Sequence, residues 1–135
     1  NRAVAENKRS CGEIRKIGTD SAFPAEAFRR SHAEMVRRIE ESGLPHVVFG
    51  HLGDHHLHVN LLPRTAEELD LALRVYGDLM TVAVNGGGTV SAEHGIGKIK
   101  KRYLQALVGD AGIAAMRKVK AALDPWGMLN PGNLF

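Results

Sequence analysis

The order of residues in this 135-residue chain predicts an α+β fold. The expected form is a ferredoxin-like sandwich, with helices packed on one face of an antiparallel sheet. Three observations lead there. Leu57, Val59 and Leu61 alternate with His56, His58 and Asn60, the period of a strand. Phe28, Met35, Val36 and Ile39 recur at helical spacing between Pro24 and Gly43. A longer apolar periodicity from Leu69 to Val84 follows Thr65 and Glu68, which are spaced as a capping box. With short β-prone stretches before and after, the order reads β-α-β-β-α-β.

Residues 1–18 read as a polar lead-in or linker, and residues 19–135 as the domain proper. A strand is expected between Ile14 and Phe23. Pro24 suits the first position of a helix, because its fixed φ and missing N–H cost nothing there, and Glu26 falls in the favourable first turn. Gly43, after Glu40, Glu41 and Ser42, marks that helix's end. Val47, Val48 and Phe49 form a β-prone run, Gly53 and Asp54 are turn formers, and the second strand closes at Leu61-Leu62-Pro63. Asn85 and the glycines Gly86, Gly87 and Gly88 stop the long helix, and Thr89-Val90-Ser91 is again β-prone. A further helix is expected from about Lys98. Asp110 can cap a last one to about Leu123, where Asp124-Pro125 breaks it.

Composition narrows the class. Hydrophobic content of 44% and charged content of 24% are those of an ordinary globular domain. No apolar run reaches spanning length, and no secretory signal opens the chain. A lone Cys11 excludes an internal disulfide framework and fits a reducing compartment, so a cytoplasmic protein, peripheral to a membrane only through partners, is expected. The net charge of +3 does not point to nucleic acid. Arg29, Arg30, Arg37 and Arg38 share a helix with Glu26, Glu34, Glu40 and Glu41, a solvated mixed face. The compact basic cluster Lys98, Lys100, Lys101 and Arg102 has only Tyr103 as an aromatic neighbour and reads as a solvated helix start, with an anion-attracting rim as the alternative. Opening at Asn1 without Met, the chain reads as a piece of a longer polypeptide.

The chemistry is concentrated in Phe49 to Asn60, where four of the seven histidines fall within eight positions. A turn centred on Asp54-His55 would set His51 across the ladder from His58. Opposed Cβ atoms are about 4.5–5.5 Å apart, which suits two imidazoles holding one ion at roughly 2.1 Å each. A slip or bulge would change the pairing. Rings that only face water are the plain alternative, but four around one turn favour a site. Glu93 adds an oxygen ligand and His94 a titratable ring in a glycine-rich loop. Two histidines and a carboxylate with an open position form a catalytic rather than a structural metal set. Gly86-Gly87-Gly88 has neither dinucleotide-binding nor P-loop spacing. Gly95 and Gly97 flank a helix start where a small anion could bind, a weak signal alone.

Three motifs then occur in order: Phe49-Gly50-His51-Leu52-Gly53-Asp54 with Leu57-His58-Val59-Asn60, Ser91-Ala92-Glu93-His94-Gly95-Ile96-Gly97, and Asp124-Pro125 with Leu129-Asn130-Pro131-Gly132. Together they resemble the C-terminal domain of FAD-linked oxidases in the vanillyl-alcohol-oxidase superfamily, from about Thr19 to Phe135. The resemblance implies oxidation of a D-2-hydroxy acid, of the D-lactate or glycolate class, to the 2-oxo acid, with FAD taking the hydride. It also implies that a separate N-terminal FAD-binding domain, outside this chain, holds most of the flavin. An electron-acceptor protein or quinone would reoxidise it. Carried over by position, His51, His58 and Glu93 would ligate a divalent ion, zinc or manganese. Asn60 would contact substrate, and His94 would sit beside its hydroxyl as the base.

One departure stands out. His55-His56 replaces the small residue and Asn that the family often has. His55 then occupies a position suited to a left-handed backbone. His56 is open between a further ligand, a substrate contact and a substitute for the Asn hydrogen bonds. Arg15 and Lys16 are candidate anchors for a second substrate carboxylate. A self-contained metal hydrolase using the same ligands, and a non-enzymatic metal-binding module, are the competing classes. Because the chain has no dinucleotide fingerprint, the purified chain alone should carry little or no flavin; an absorbance spectrum showing stoichiometric flavin would overturn that reading.

Overall fold

The computed structural model describes residues 2–10 and 14–134; Cys11 lies outside them. The chain divides into two compact units, residues 1–93 and 94–135. The first contains helix α1 (Arg2–Ser10), strands β1 (Ile17–Gly18) and β2 (Ser21–Ala22), helix α2 (Ala25–Ser42), strands β3 (His46–His51) and β4 (His56–Leu61), and helix α3 (Ala66–Asn85). The second is built on helix α4 (Lys101–Leu123).

All strand pairings are antiparallel, and β4 is the centre of the sheet. β3 pairs along its whole length on one side, and β1 and β2 share the other. An isolated antiparallel bridge between Ala22 and Thr89 adds the fourth position, beside β2. The spatial order is therefore Thr89, then β1/β2, then β4, then β3. This is the arrangement expected of a β-α-β-β-α-β chain, with its last strand reduced to a bridge.

The helices cover the apolar face. Leu57, Val59 and Leu61 are buried together with Met35 and Ile39 of α2 and with Ala72, Val75, Tyr76, Leu79, Met80 and Ala83 of α3. α2 packs along α3, and α3 lies against β1 and β2. The boundaries follow local chemistry. Pro24 is the N-cap of α2, so the helix begins at Ala25, one position later than expected, and Gly43 closes it in the left-handed conformation. Thr65 caps α3 by accepting from the Glu68 N–H. The reciprocal half of the expected box is absent, because the Glu68 carboxylate instead takes the Arg64 N–H and guanidinium. On α2, Arg37 bonds Glu34 and Glu41, and Arg38 bonds Glu34, the solvated mixed face that was expected.

Two glycines are needed for close approach. A Cβ on Gly50 would lie 2.1 Å from the His56 carbonyl oxygen, so only glycine lets β3 close onto β4 there. A Cβ on Gly88 would lie 2.5 Å from the Ala22 carbonyl oxygen and 2.9 Å from the Phe23 ring. The glycine cluster thus serves the helix stop and the packing of the following bridge.

Three expectations are corrected. Residues 2–10 form α1 rather than a frayed lead-in, and the Asn7 side-chain amide donates to the Pro63 carbonyl at 2.8 Å, tying the helix to the end of β4. In the second unit α4 starts at Lys101, later than Lys98, and Lys100 is buried, so the basic cluster is not wholly a solvated helix start. Arg102 lies 4.6 Å over the Tyr103 ring. α4 is interrupted at Gly109 (φ 67°, ψ 177°), which sets Asp110 at the head of the second helical run, as expected. Among the described residues no helix is long and apolar enough to cross a membrane.

Asp124 ends α4 and organises the tail. Its carboxylate accepts from the Met128 and Leu129 amides and pairs with Lys120. The Lys120 ammonium is the main influence holding this carboxyl below its ordinary pKa, with the two amides acting in the same direction. A depressed carboxyl pKa contributes stability that is full above the unfolded value, about 3.9, and is lost as pH falls through the folded value. Asp124→Asn should therefore be less stable than wild type at pH 7, and the gap between their denaturation midpoints should narrow below about pH 4. A gap that stays constant with pH would remove the charge from the account.

The first unit makes two further predictions of opposite sign. Gly50→Ala should destabilise by about 1–3 kcal/mol, the usual range for an overpacked site. Ser21 shares the apolar face with its partner Leu57, and its buried hydroxyl has no hydrogen-bond partner, alone among buried side-chain atoms of the described residues. Ser21→Ala should be stabilising by up to about 1 kcal/mol. Chemical denaturation of the two variants checks both.

Candidate metal centre

The opposite face of β4 carries His56, His58 and Asn60, all buried. A strand buried on both faces must satisfy every polar group on its hydrophilic side, and the neighbouring elements do this. The β3–β4 connection is a 3-10 turn over Leu52–Asp54 followed by His55 in the left-handed conformation (φ 51°), as the local sequence suggested. His55 points its chemistry away from the cluster, with its ring 5.3 Å from that of Phe28 on α2.

The turn fixes the register, and the register differs from the one expected. His51 stands opposite His56, not His58, which faces Phe49. A two-residue shift keeps every side chain on its face, so the three rings still meet. His51 and His56 have ring centroids 5.5 Å apart, His51 and His58 6.2 Å, and His56 and His58 4.3 Å.

Glu93 reaches this group through the segment after α3. The chain from Thr89 runs antiparallel beside β2, with Thr89 N–H on the Ala22 carbonyl and Ala92 N–H on the Asp20 carbonyl. The Glu93 carboxylate is then 3.4 Å from His51 Nε2, 3.7 Å from His56 Nδ1 and 3.5 Å from His58 Nε2. One donor atom from each of these four residues lies within 4.8 Å of all the others. Neighbouring ligands of a tetrahedral ion with bonds of about 2.1 Å are roughly 3.4 Å apart, so the spacing suits a single divalent cation.

The residue that the sequence did not reveal is Asp20. Gly18 pairs with Asn60 and Ser21 with Leu57 in one continuous register, which sets Asp20 opposite His58. Its side chain is 0% exposed. Oδ1 is 2.8 Å from His56 Nε2, and Oδ2 accepts from the Ser91 hydroxyl at 2.9 Å. The Glu93 N–H donates to both oxygens, at 3.1 and 3.3 Å. An ionised carboxylate only accepts, so His56 presents its N–H to Asp20 and its Nδ1 lone pair towards Glu93. His58 Nδ1 lies 3.4 Å from the Thr19 carbonyl, which leaves its Nε2 facing Glu93. Outer hydrogen bonds of this kind fix the tautomer of metal-ligating histidines. The signal available in the sequence was an acid between Thr19 and Ser21 in a strand stretch, a costly place for an unpartnered charge.

The remaining candidates occupy defined places. Asn60 is on β4 beyond His58, and its Oδ1 accepts from Lys16 Nζ at 2.8 Å. Arg15 is exposed. His94 follows Glu93 directly, opens the second unit and is exposed. Gly95 and Gly97 both have left-handed backbones, a conformational demand that accounts for them without an anion.

Residues 12–134 match the family described as FAD linked oxidases, C-terminal domain. Mitochondrial D-lactate dehydrogenase [cytochrome] 1 of Saccharomyces cerevisiae is 34% identical over 117 residues, covering 87% of this chain and 20% of that protein. The glycolate oxidase subunit GlcD of Bacillus subtilis is 34% identical over 113 residues, 79% of this chain and 24% of that protein. D-2-hydroxyglutarate dehydrogenase of Xanthomonas citri pv. viticola is 43% identical over 93 residues, 66% and 20%. The chain thus spans about a fifth to a quarter of the length of these relatives. It belongs to the family of FAD-linked oxidase C-terminal domains.

Proposed function

We propose that this chain is the substrate- and metal-binding domain of an FAD-dependent enzyme that oxidises a D-2-hydroxy acid to the 2-oxo acid. The observation that carries this is the convergence of His51, His58 and Glu93, with His56 among them, on one point of an otherwise buried polar face. Three relatives with matching sequence act, by name, on D-lactate, glycolate and D-2-hydroxyglutarate, all 2-hydroxy acids. The partner this implies is an N-terminal FAD-binding domain.

His51, His58 and Glu93 would hold a divalent ion, zinc or manganese. When bound, that ion supplies acidity at the substrate hydroxyl, and FAD supplies the hydride acceptor. Asn60 would orient the substrate with its amide, held by the bond from Lys16. The Lys16 ammonium beside it favours an anionic substrate. His94 would take the hydroxyl proton at a ring nitrogen, a role that imidazole commonly serves in general-base catalysis.

The test belongs in the full-length protein with its flavin. His94→Asn should lower kcat by roughly 10²–10⁴-fold while metal content is retained, whereas Glu93→Ala should lower both metal content and rate. Elemental analysis and the pH profile of kcat/KM on D-lactate, glycolate and D-2-hydroxyglutarate give the readout. A His94→Asn enzyme with the wild-type rate and acidic limb would place the base elsewhere. Ester or amide hydrolysis without flavin reduction would favour a metal hydrolase instead. Metal binding with no turnover of any hydroxy acid would favour a binding module.

A further inference from the structure

We infer that His56, oriented by Asp20, is a fourth protein ligand of the proposed metal centre, and that the resulting donor set selects zinc over manganese. The inference rests on the reading of His51, His58 and Glu93 as a metal site and goes beyond it.

Position comes first. His56 is the direct cross-strand partner of His51, a closer relation on the ladder than His51 has with His58. Its Nδ1 lies 3.7 Å from the Glu93 carboxylate, alongside 3.4 Å for His51 Nε2 and 3.5 Å for His58 Nε2. The His51 and His56 distances are to the same oxygen, Oε1, and both are near the roughly 3.4 Å edge expected between ligands of a four-coordinate ion, while His58 faces Oε2. A site holding only His51, His58 and Glu93 would leave the His56 nitrogen against the same carboxylate without a task.

Protonation comes second. A neutral imidazole has one N–H and one lone pair. The His56 N–H is committed to Asp20, which is fully buried and whose oxygens also accept from Ser91 and from the Glu93 backbone. In the neutral ring that ligation requires, the inward Nδ1 is therefore the acceptor and can bind a cation. His58 shows the same pattern with the Thr19 carbonyl in the place of Asp20.

Chemistry supplies the consequence. Three imidazoles and one carboxylate fill a four-coordinate shell, so substrate would enter as an added ligand rather than into a vacant position. Imidazole nitrogen suits zinc, whereas manganese is better matched by carboxylate, carbonyl and water oxygen. Replacing an oxygen donor or water by His56 thus moves the preference towards zinc.

The experiment compares the full-length protein with its His56→Asn, Asp20→Asn and His58→Ala variants, using zinc(II) and manganese(II) as probes. Chelator competition gives both affinities, and X-ray absorption at the zinc edge counts imidazole ligands without interference from flavin. The wild type should show three imidazoles and a clear zinc preference. His56→Asn should show two, lose at least tenfold in zinc affinity, and lose less for manganese. Asp20→Asn should keep three with zinc affinity lowered about 10–100-fold, the usual effect of removing a ligand's outer partner. Circular dichroism confirms folding, and His56→Asn, which keeps a polar side chain on β4, carries the decision. Unchanged zinc affinity and imidazole count in His56→Asn, with loss in His58→Ala, would overturn the fourth-ligand assignment and leave the three-ligand site standing. A folded wild-type protein that binds neither metal would overturn both.

Discussion

β4 is buried on both of its faces and paired on both of its edges, and the rest of the first unit is arranged to meet those demands. Its apolar side requires a helical layer, which α2 and α3 provide. Its polar side requires hydrogen-bonding partners for His56, His58 and Asn60, because a buried imidazole or amide left unmatched costs about as much as a lost hydrogen bond. Those partners are Lys16, just before β1, and Thr19 and Asp20, between β1 and β2. Core and site are therefore two sides of one strand, and an error in its register would damage both.

Asp20 connects the two requirements. It sits on the strand neighbouring β4, bonds His56, and receives the Ser91 hydroxyl and the Glu93 amide. Without its carboxylate, the Glu93 segment would keep only the backbone bonds of Thr89 and Ala92. With it, the Glu93 carboxylate lies beside His51 and beside the inward nitrogens of His56 and His58, whose other ring nitrogens are already engaged. Preorganisation of this kind lowers the entropy lost when a ligand is captured.

The fold class was legible because its signals are periodic and redundant. The 57–61 alternation, the α2 stripe and the Thr65 cap each constrain one element. The register was not, since it depends on a 3-10 turn ending in a left-handed His55, and a turn two residues different gives an equally alternating hairpin. α1 was missed because its sequence is largely polar and it is held to the sheet by a bond from Asn7, a contact that no local pattern reveals. In the site, His51, His58 and Glu93 could be nominated from residue type, spacing and resemblance. Asp20 could not, because its importance lies in partners 36 to 73 positions away in the chain.

The sharing of Asp20 also limits how this protein can vary over time. Ring orientation at His56 and the hydrogen bonding of the Ser91 hydroxyl and Glu93 amide share one carboxylate, so they are coupled. Drift at Asp20 would disturb the His56 ring and the Glu93 amide together. Change is easier at the periphery: His55 is a backbone position rather than a donor, and can be exchanged for another residue that tolerates a left-handed conformation. The run of four histidines thus holds residues with very different freedom to evolve, though in the bare sequence they look alike.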